Sequence, residues 1–306
     1  MSNEKIISIA VHGGAGVITR KEITSDKEKI YKESLEQALK EGWKILEQGG
    51  TALDAVTASC IVLENIPLFN AGKGSVFTSG ETHEMDAAIM DGRTLKAGCA
   101  AGIKNVKNPV LLARKIMENS KHVFLAYEGA EEFAKRMNLE FEDSSYFYTE
   151  FRYKKLQEAK EKESKQENAD KSLGTIGAVA MDMEGNLASA TSSGGMTNKK
   201  FGRIGDTPII GSGTYANNKT CAVSCTGDGE YFIRCVTAFD VSCLMEYGNM
   251  ALKQAAEKAI KKLGDIRGEG GLIAVDKNGN LELVFNSKGM YRSSLRTGGE
   301  ILTEIF

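Results

Sequence analysis

Residues 174–181 read Gly174-Thr175-Ile176-Gly177-Ala178-Val179-Ala180-Met181, an apolar run that opens on a small pair. Just before it, 11 of the 18 residues from Lys154 to Lys171 are charged, six basic and five acidic, with no core-forming pattern beyond Leu156. Charge that dense stays in water, and predicts a solvated helix or a mobile linker over about 154–171. The mixed signs argue against an anion-binding tail. The apolar run behind it predicts a buried strand. Glu184-Gly185-Asn186 then turns that strand into a second, Leu187 to Ser193.

Working outward, a glycine-rich loop covers Gly194 to Gly213, and Cys221 to Cys225 read as a strand. Helices are expected over about Tyr231–Glu246 and Ala251–Lys262. Asn278-Gly279 lies between Gly271–Val275 and Leu281–Phe285, a hairpin signature. Upstream, Lys5 to Val11 read as a buried strand that ends in His12-Gly13-Gly14-Ala15-Gly16. A helix over about Ser25–Gln48 carries a capping box, Ser25-x-x-Glu28, and stops at Gly49-Gly50. A second, about Ala52–Asn65, is apolar almost all round and predicts a buried helix. Thr82–Met90 and Ala97–Ile103 read as strands, Pro109–Met117 and Tyr127–Met137 as helices. Both halves mix strands with helical pairs, which predicts an α+β domain with helices covering sheets.

The 306 residues suffice for one large domain or two small ones. With 39 basic against 41 acidic residues, nothing points to nucleic acid or an anionic membrane as a partner. No apolar run approaches the roughly 20 residues of a membrane span. The opening MSNEKIISIAVHGG reads as a short strand rather than a signal peptide, so a cytoplasmic protein is expected. Cys60, Cys99, Cys221, Cys225, Cys235 and Cys243 form no C-x-x-C pair and are expected as buried, reduced thiols. His12, His83 and His122 lack the i, i+4 spacing of a zinc helix.

Several motifs resolve to ordinary structure. Gly211-Ser212-Gly213-Thr214-Tyr215-Ala216 fits a dinucleotide fingerprint, but no buried strand leads in and no helix leads out. Glu84 and Asp86 share one strand face; paired acids can do acid–base work, yet a polar strand face is the commoner explanation. Thr175 is different. Of the Gly-Thr pairs, Thr51 sits where a helix cap belongs and Thr214 in a polar loop, whereas Thr175 joins the charged segment to a buried strand. A cut there frees a new N-terminus without losing core contacts. A threonine hydroxyl is a weak nucleophile at neutral pH, and a free α-amine on the same residue can serve as its base, titrating at about 7.7–8.0. The hydroxyl can itself make the cut by attacking the Gly174 carbonyl, with glycine allowing the strained approach. On the residues alone this is one reading among several.

A wider match follows. VHGGAG (Val11–Gly16), PLFNAGKGSVF (Pro67–Phe77), EMDAAIMDG (Glu84–Gly92), GTIGAVAMD (Gly174–Asp182), TSSGGMTNKKFGRIGDTPIIGSGTYA (Thr191–Ala216) and SCTGDGE (Ser224–Glu230) stand in order. With them the chain resembles, over nearly its whole length, the isoaspartyl peptidase / plant-type (type III) L-asparaginase family of N-terminal nucleophile hydrolases. The resemblance implies an αββα sandwich, two antiparallel sheets between helical layers. It implies self-cleavage into an α chain 1–174 and a β chain 175–306, and a dimer of αβ units. The implied activity is release of L-aspartate from β-aspartyl dipeptides and, usually less well, from L-asparagine.

Residue by residue, the resemblance makes Thr175 the nucleophile and Gly174–Thr175 the cut bond. Ser193 takes the place of a threonine that supports the nucleophile. Thr226 and Gly227 become the oxyanion hole, Gly227 also facing substrate. Arg203 and Asp206 become a clamp for an α-carboxylate and an α-ammonium, and Asn70 steadies the nucleophile. Carbonyls of Leu63, Glu64, Ile66, Phe69, Ala71 and Lys73 match a loop for a monovalent cation, sodium or potassium, and no organic cofactor is implied. Competing readings are a glycosylasparaginase, whose family opens without HGGAG, a taspase-like endoprotease, and an uncleaved relative that only binds amino acids.

Overall fold

Strands whose side chains are buried on both faces must be covered on both faces, and that requirement organises this chain. The computed structural model describes residues 5–16, 23–165 and 174–306. Its strands are β1 (Ser8–Gly16), β2 (Met85–Asp91), β3 (Ala97–Ile103), β4 (Phe124–Ala126), β5 (Ile176–Met181), β6 (Leu187–Ser193), β7 (Thr214–Ala216), β8 (Cys221–Gly227), β9 (Gly270–Asp276), β10 (Leu281–Phe285), β11 (Gly289–Arg296) and β12 (Leu302–Glu304). The helices are α1 (Ser25–Glu47), α2 (Ala52–Asn65), α3 (Pro109–Asn119), α4 (Tyr127–Arg136), α5 (Ser144–Phe147), α6 (Glu150–Ser164), α7 (Gly229–Cys235), α8 (Thr237–Glu246) and α9 (Leu252–Asp265).

The strands form a large sheet in the order β12-β11-β1-β5-β6-β2-β3-β4 and a small one in the order β10-β9-β8-β7. Side chains alternate across the large sheet with period two. Ile9, Val11, Ile176 and Ala178 face outward onto Leu35, Leu39 and Leu46 of α1 and Val56, Cys60 and Leu63 of α2. Ala10, Val179 and Met181 face inward onto Ala222, Ile273 and Val275 of the small sheet. The small sheet's other face packs Val223, Cys225 and Leu272 under Val241 of α8 and Ala256, Ile260 and Leu263 of α9. The layers are helix, sheet, sheet, helix. The expected αββα sandwich is present, with one qualification: β3 and β4 pair in parallel, so the large sheet is mixed rather than wholly antiparallel.

Local differences have local causes. The N-cap of α1 is Thr24, whose side chain accepts from the Lys27 N–H, so Ser25 is the first helical residue rather than the cap. The helix expected over Tyr231–Glu246 is broken at Val236, which sits in the left-handed region at φ 51° and ψ 47°. The charged segment from 154, read as a solvated helix or a mobile linker, is helical through Ser164. Its charges are spaced to pair along the helix, as in Lys165–Glu161 at 2.7 Å and Lys155–Glu158 at 2.7 Å. Its remainder, 166–171, lies outside the described residues. The six cysteines are free, and only Cys243 is less than fully buried.

Candidate active site

The centre of the site is one row across three neighbouring strands. In the β5–β6 ladder Ile176 faces Ser192, so Thr175, one residue earlier, stands beside Ser193; in the β6–β2 ladder Ser193 faces Asp86. Cross-strand partners lie on the same face of a sheet, so Thr175, Ser193 and Asp86 share one face. The Thr175 hydroxyl donates to Ser193 Oγ at 3.1 Å, and Ser193 Oγ also accepts from the Gly195 N–H at 3.0 Å. The Gly174 carbonyl accepts from Asn70 Nδ2 at 2.7 Å, with the Ser193 hydroxyl at 3.4 Å. Asn70 is itself held, donating to the Gly195 carbonyl at 2.7 Å and accepting from the Val76 N–H at 2.9 Å. Gly14 lies against the same bond: at φ +116°, a Cβ there would stand 2.9 Å from Gly174 Cα.

Gly227, at the end of β8, lines the cleft with Gly174, Thr175, Ser193, Arg203 and Asp206. Thr226 is fully buried just behind it and accepts from the Ala15 N–H at 3.1 Å, which leaves its own hydroxyl hydrogen free to donate. Arg203 is gripped by Glu230 in a two-pronged pair, Nε to Oε1 at 2.9 Å and Nη2 to Oε2 at 2.8 Å. Asp206 is 4% exposed, and its Oδ2 has no partner among the described residues. Burial pushes its carboxyl up to about 7. Gly229 lets both close in, since a Cβ there would meet Arg203 Nη2 at 2.8 Å and Asp206 Oδ1 at 2.9 Å. Arg203 and Asp206 therefore converge on the cleft that Thr175 lines.

Other residues join the site that sequence reasoning passed over or read as ordinary structure. Asp86 is 1% exposed and lines the cleft; Oδ1 accepts from the Gly102 N–H at 3.0 Å and Oδ2 has no partner among the described residues. The even spacing that placed it beside Glu84 on a polar face was visible, but its register against Ser193 was not. Lys199, also buried, donates to the Glu84 carbonyl at 2.5 Å. Tyr127, at φ 52°, donates to the Gly202 carbonyl at 2.8 Å and so braces the loop that carries Arg203.

Away from the cleft, the loop after α2 folds back on that helix. Gly72 sits at φ +51°, where a Cβ would lie 2.3 Å from the Glu64 carbonyl oxygen. Leu63 and Ala71 carbonyls accept from the Ile66 and Gly74 N–H groups, at 3.3 and 3.2 Å. The buried Arg152 guanidinium takes the Gly74 carbonyl at 2.8 Å and the Leu68 carbonyl at 3.4 Å. The Glu64 side chain turns the other way, accepting from Ser192 Oγ at 2.6 Å, Asn108 Nδ2 at 3.0 Å and the Val110 N–H at 3.0 Å. Among the described residues no group of three or more His, Cys, Asp and Glu side chains is placed to hold a metal ion. Nor is any helix among them long and apolar enough to cross a membrane.

Residues 5–303 match the family model described as asparaginase. The chain is 48% identical to the isoaspartyl peptidase of Escherichia coli (strain K12), over 97% of this chain and 95% of that protein. It is 48% identical to the isoaspartyl peptidase of Salmonella typhimurium, over 97% and 98%. With the isoaspartyl peptidase/L-asparaginase of Mus musculus it shares 42% identity, over 95% of this chain and 88% of that protein.

Proposed function

The chain belongs to the asparaginase family, and from that premise we propose that it is a self-processing threonine amidohydrolase that releases L-aspartate from β-aspartyl dipeptides and from L-asparagine. The observation that carries this reading is the placement of the Thr175 hydroxyl on Ser193 beside a Gly174 carbonyl held by Asn70 at 2.7 Å.

In self-cleavage, Thr175 Oγ1 attacks the Gly174 carbonyl carbon. Asn70 Nδ2 donates to the oxygen as charge develops on it. The C–N bond breaks, the nitrogen takes a proton, and an ester joins Gly174 to Oγ1. Water hydrolyses the ester, leaving the Gly174 carboxylate on the 1–174 chain and a free α-amine on Thr175 of the 175–306 chain. In turnover that amine takes the hydroxyl proton as Oγ1 attacks the substrate's side-chain carbonyl, and returns it to the departing amine. The Thr226 hydroxyl and the Gly227 N–H stabilise the oxyanion. Water then releases aspartate from the threonine ester.

Arg203, with one edge of its guanidinium taken by Glu230, holds the α-carboxylate, and Asp206 holds the α-ammonium. A buried carboxylate waiting for a free ammonium disfavours an internal aspartate, so a dipeptide or amino acid fits better than an endoprotease substrate. The carbonyls of Leu63, Glu64, Ile66, Phe69, Ala71 and Lys73 would hold a sodium ion, with potassium the alternative. The last carbonyls of α2 carry partial negative charge, which suits a hard cation there. Such an ion would stiffen the loop that presents Asn70. The working assembly is a dimer of αβ units in the cytoplasm.

The test is the intact mass of the denatured protein, with Thr175→Ala beside it. Fragments of 174 and 132 residues from the wild type alone, together with aspartate release from β-aspartyl-leucine, are expected. A wild type that stays one chain after long incubation would overturn the self-processing reading.

A further inference from the structure

Two carboxylates in the cleft each keep one buried oxygen without a partner among the described residues: Asp206 Oδ2 and Asp86 Oδ2. A buried carboxylate oxygen left unpaired is costly, and a native fold retains one where something else completes it. The nearby cations of the chain make no hydrogen bond to either of these oxygens. Lys199 gives its ammonium to the Glu84 carbonyl at 2.5 Å, and Arg203 closes its fork on Glu230. Asp86 is not free to swing toward either, because the Gly102 N–H holds its Oδ1 at 3.0 Å and it is 1% exposed. A ligand that enters through the cleft can supply the missing donor to both. An ammonium has three hydrogens to distribute and suits two carboxylates at once.

We propose that Asp86 is a second anionic acceptor for the substrate's α-ammonium, shared with Asp206, so that the cleft selects amino-bearing acids by two carboxylates rather than one. The position follows from the strand row: Asp86 stands beside Ser193 as Ser193 stands beside Thr175. The ammonium end of the substrate would thus be read from the sheet as well as from the loop that carries Asp206. This rests on the amidohydrolase reading above and adds to it a specificity residue. The rival role for Asp86 is purely structural, a counter-charge for buried Lys199.

The test compares L-aspartate with succinate, which differs only in lacking the ammonium. Binding of each to the mature wild type and to Asp86→Asn is measured by calorimetry, since asparagine keeps the shape and the oxygen that Gly102 needs. Expected is a loss of aspartate affinity of about ten-fold or more, the worth of a charge-assisted hydrogen bond, with succinate changed less than about two-fold. Equal weakening of both, or no change in either, would overturn the proposal and leave Asp86 a structural residue. Binding is read apart from turnover, so a wild type inert toward β-aspartyl-leucine would sink the activity and not this assignment. Should Asp86→Asn fail to fold or mature, the unaltered protein crystallised with L-aspartate decides the matter. The ammonium nitrogen is expected about 3 Å from Asp86 Oδ2, and a separation beyond about 4 Å would refute the contact.

Discussion

His12 is fully buried, with Nε2 at 2.9 Å from Ser224 Oγ, and burial, partly opposed by the Thr175 backbone, pushes its imidazole down to about 3. The unfolded chain therefore takes up this proton first. The stability that neutral His12 contributes is full above about 6.5 and is lost as pH falls from there toward 3. Between pH 7.5 and 5 the wild type should lose about 2 kcal/mol more than His12→Gln does, read from urea unfolding at both pH values. A parallel fall would mean that His12 titrates normally. At the proposed clamp, Arg203→Ala is expected to raise the Michaelis constant for β-aspartyl-leucine by about ten-fold or more, with a smaller change in kcat. An unchanged Michaelis constant would remove Arg203 from substrate binding. At this scale Thr175 was legible because its neighbours make it unusual, a threonine between a charged run and a buried strand. Asp86 was not legible, because its meaning depends on what faces it across the ladder.

Among elements, the join of α7 and α8 stores strain. Val236 is β-branched, 42% exposed and at φ 51°, a conformation that costs an L-residue roughly 1–2 kcal/mol. Val236→Gly should raise stability by about 0.5–1 kcal/mol, seen as a higher melting temperature; a lower one would show that its exposed side chain is worth more than the strain. Helix α6 ties distant loops together. Arg152 holds the carbonyls of Gly74 and Leu68, and Glu163 at the far end accepts from Asn198 Nδ2 at 3.0 Å and Lys200 Nζ at 2.6 Å. Arg152→Met leaves two carbonyls short of a donor and should cost about 1–3 kcal/mol by denaturant midpoint, whereas an unchanged midpoint would mean that the loop is held without it. The sequence showed the charge of α6 and no apolar stripe, so it left helix and linker both open. The anchors that settle its first part lie on loops far away in the chain.

Across the whole molecule, the proposed cut falls inside an interleaved sheet. From 1–174 come β1, β2, β3 and β4; from 175–306 come β5, β6, β11 and β12, and β1 is paired on both sides by strands of the other piece. Cleavage at Gly174 therefore breaks a covalent bond without opening the core. The cut protein should migrate as one species under native conditions and separate into two chains only in denaturant. Two pieces produced as independent chains should each fail to fold alone. Separation under native conditions would contradict the strand order.

Much of the α+β arrangement was determined by sequence alone, because burial on two faces writes itself as apolar runs such as 176–181 and as glycine turns such as Asn278-Gly279. The order of motifs from Val11 to Glu230 likewise identified the family without coordinates. Strand β11 escaped notice, since Gly289–Arg296 carries arginines and serines that read as polar chain. Its place beside β1 is set by long-range pairing, Val11 against Ser293. The same holds for the site. Residue types and their local setting are one-dimensional facts, but the row Thr175–Ser193–Asp86 and the convergence of Arg203, Asp206 and Gly229 come from strand register and loop closure. Those are decided by contacts between residues far apart in the chain, and no local pattern encodes them.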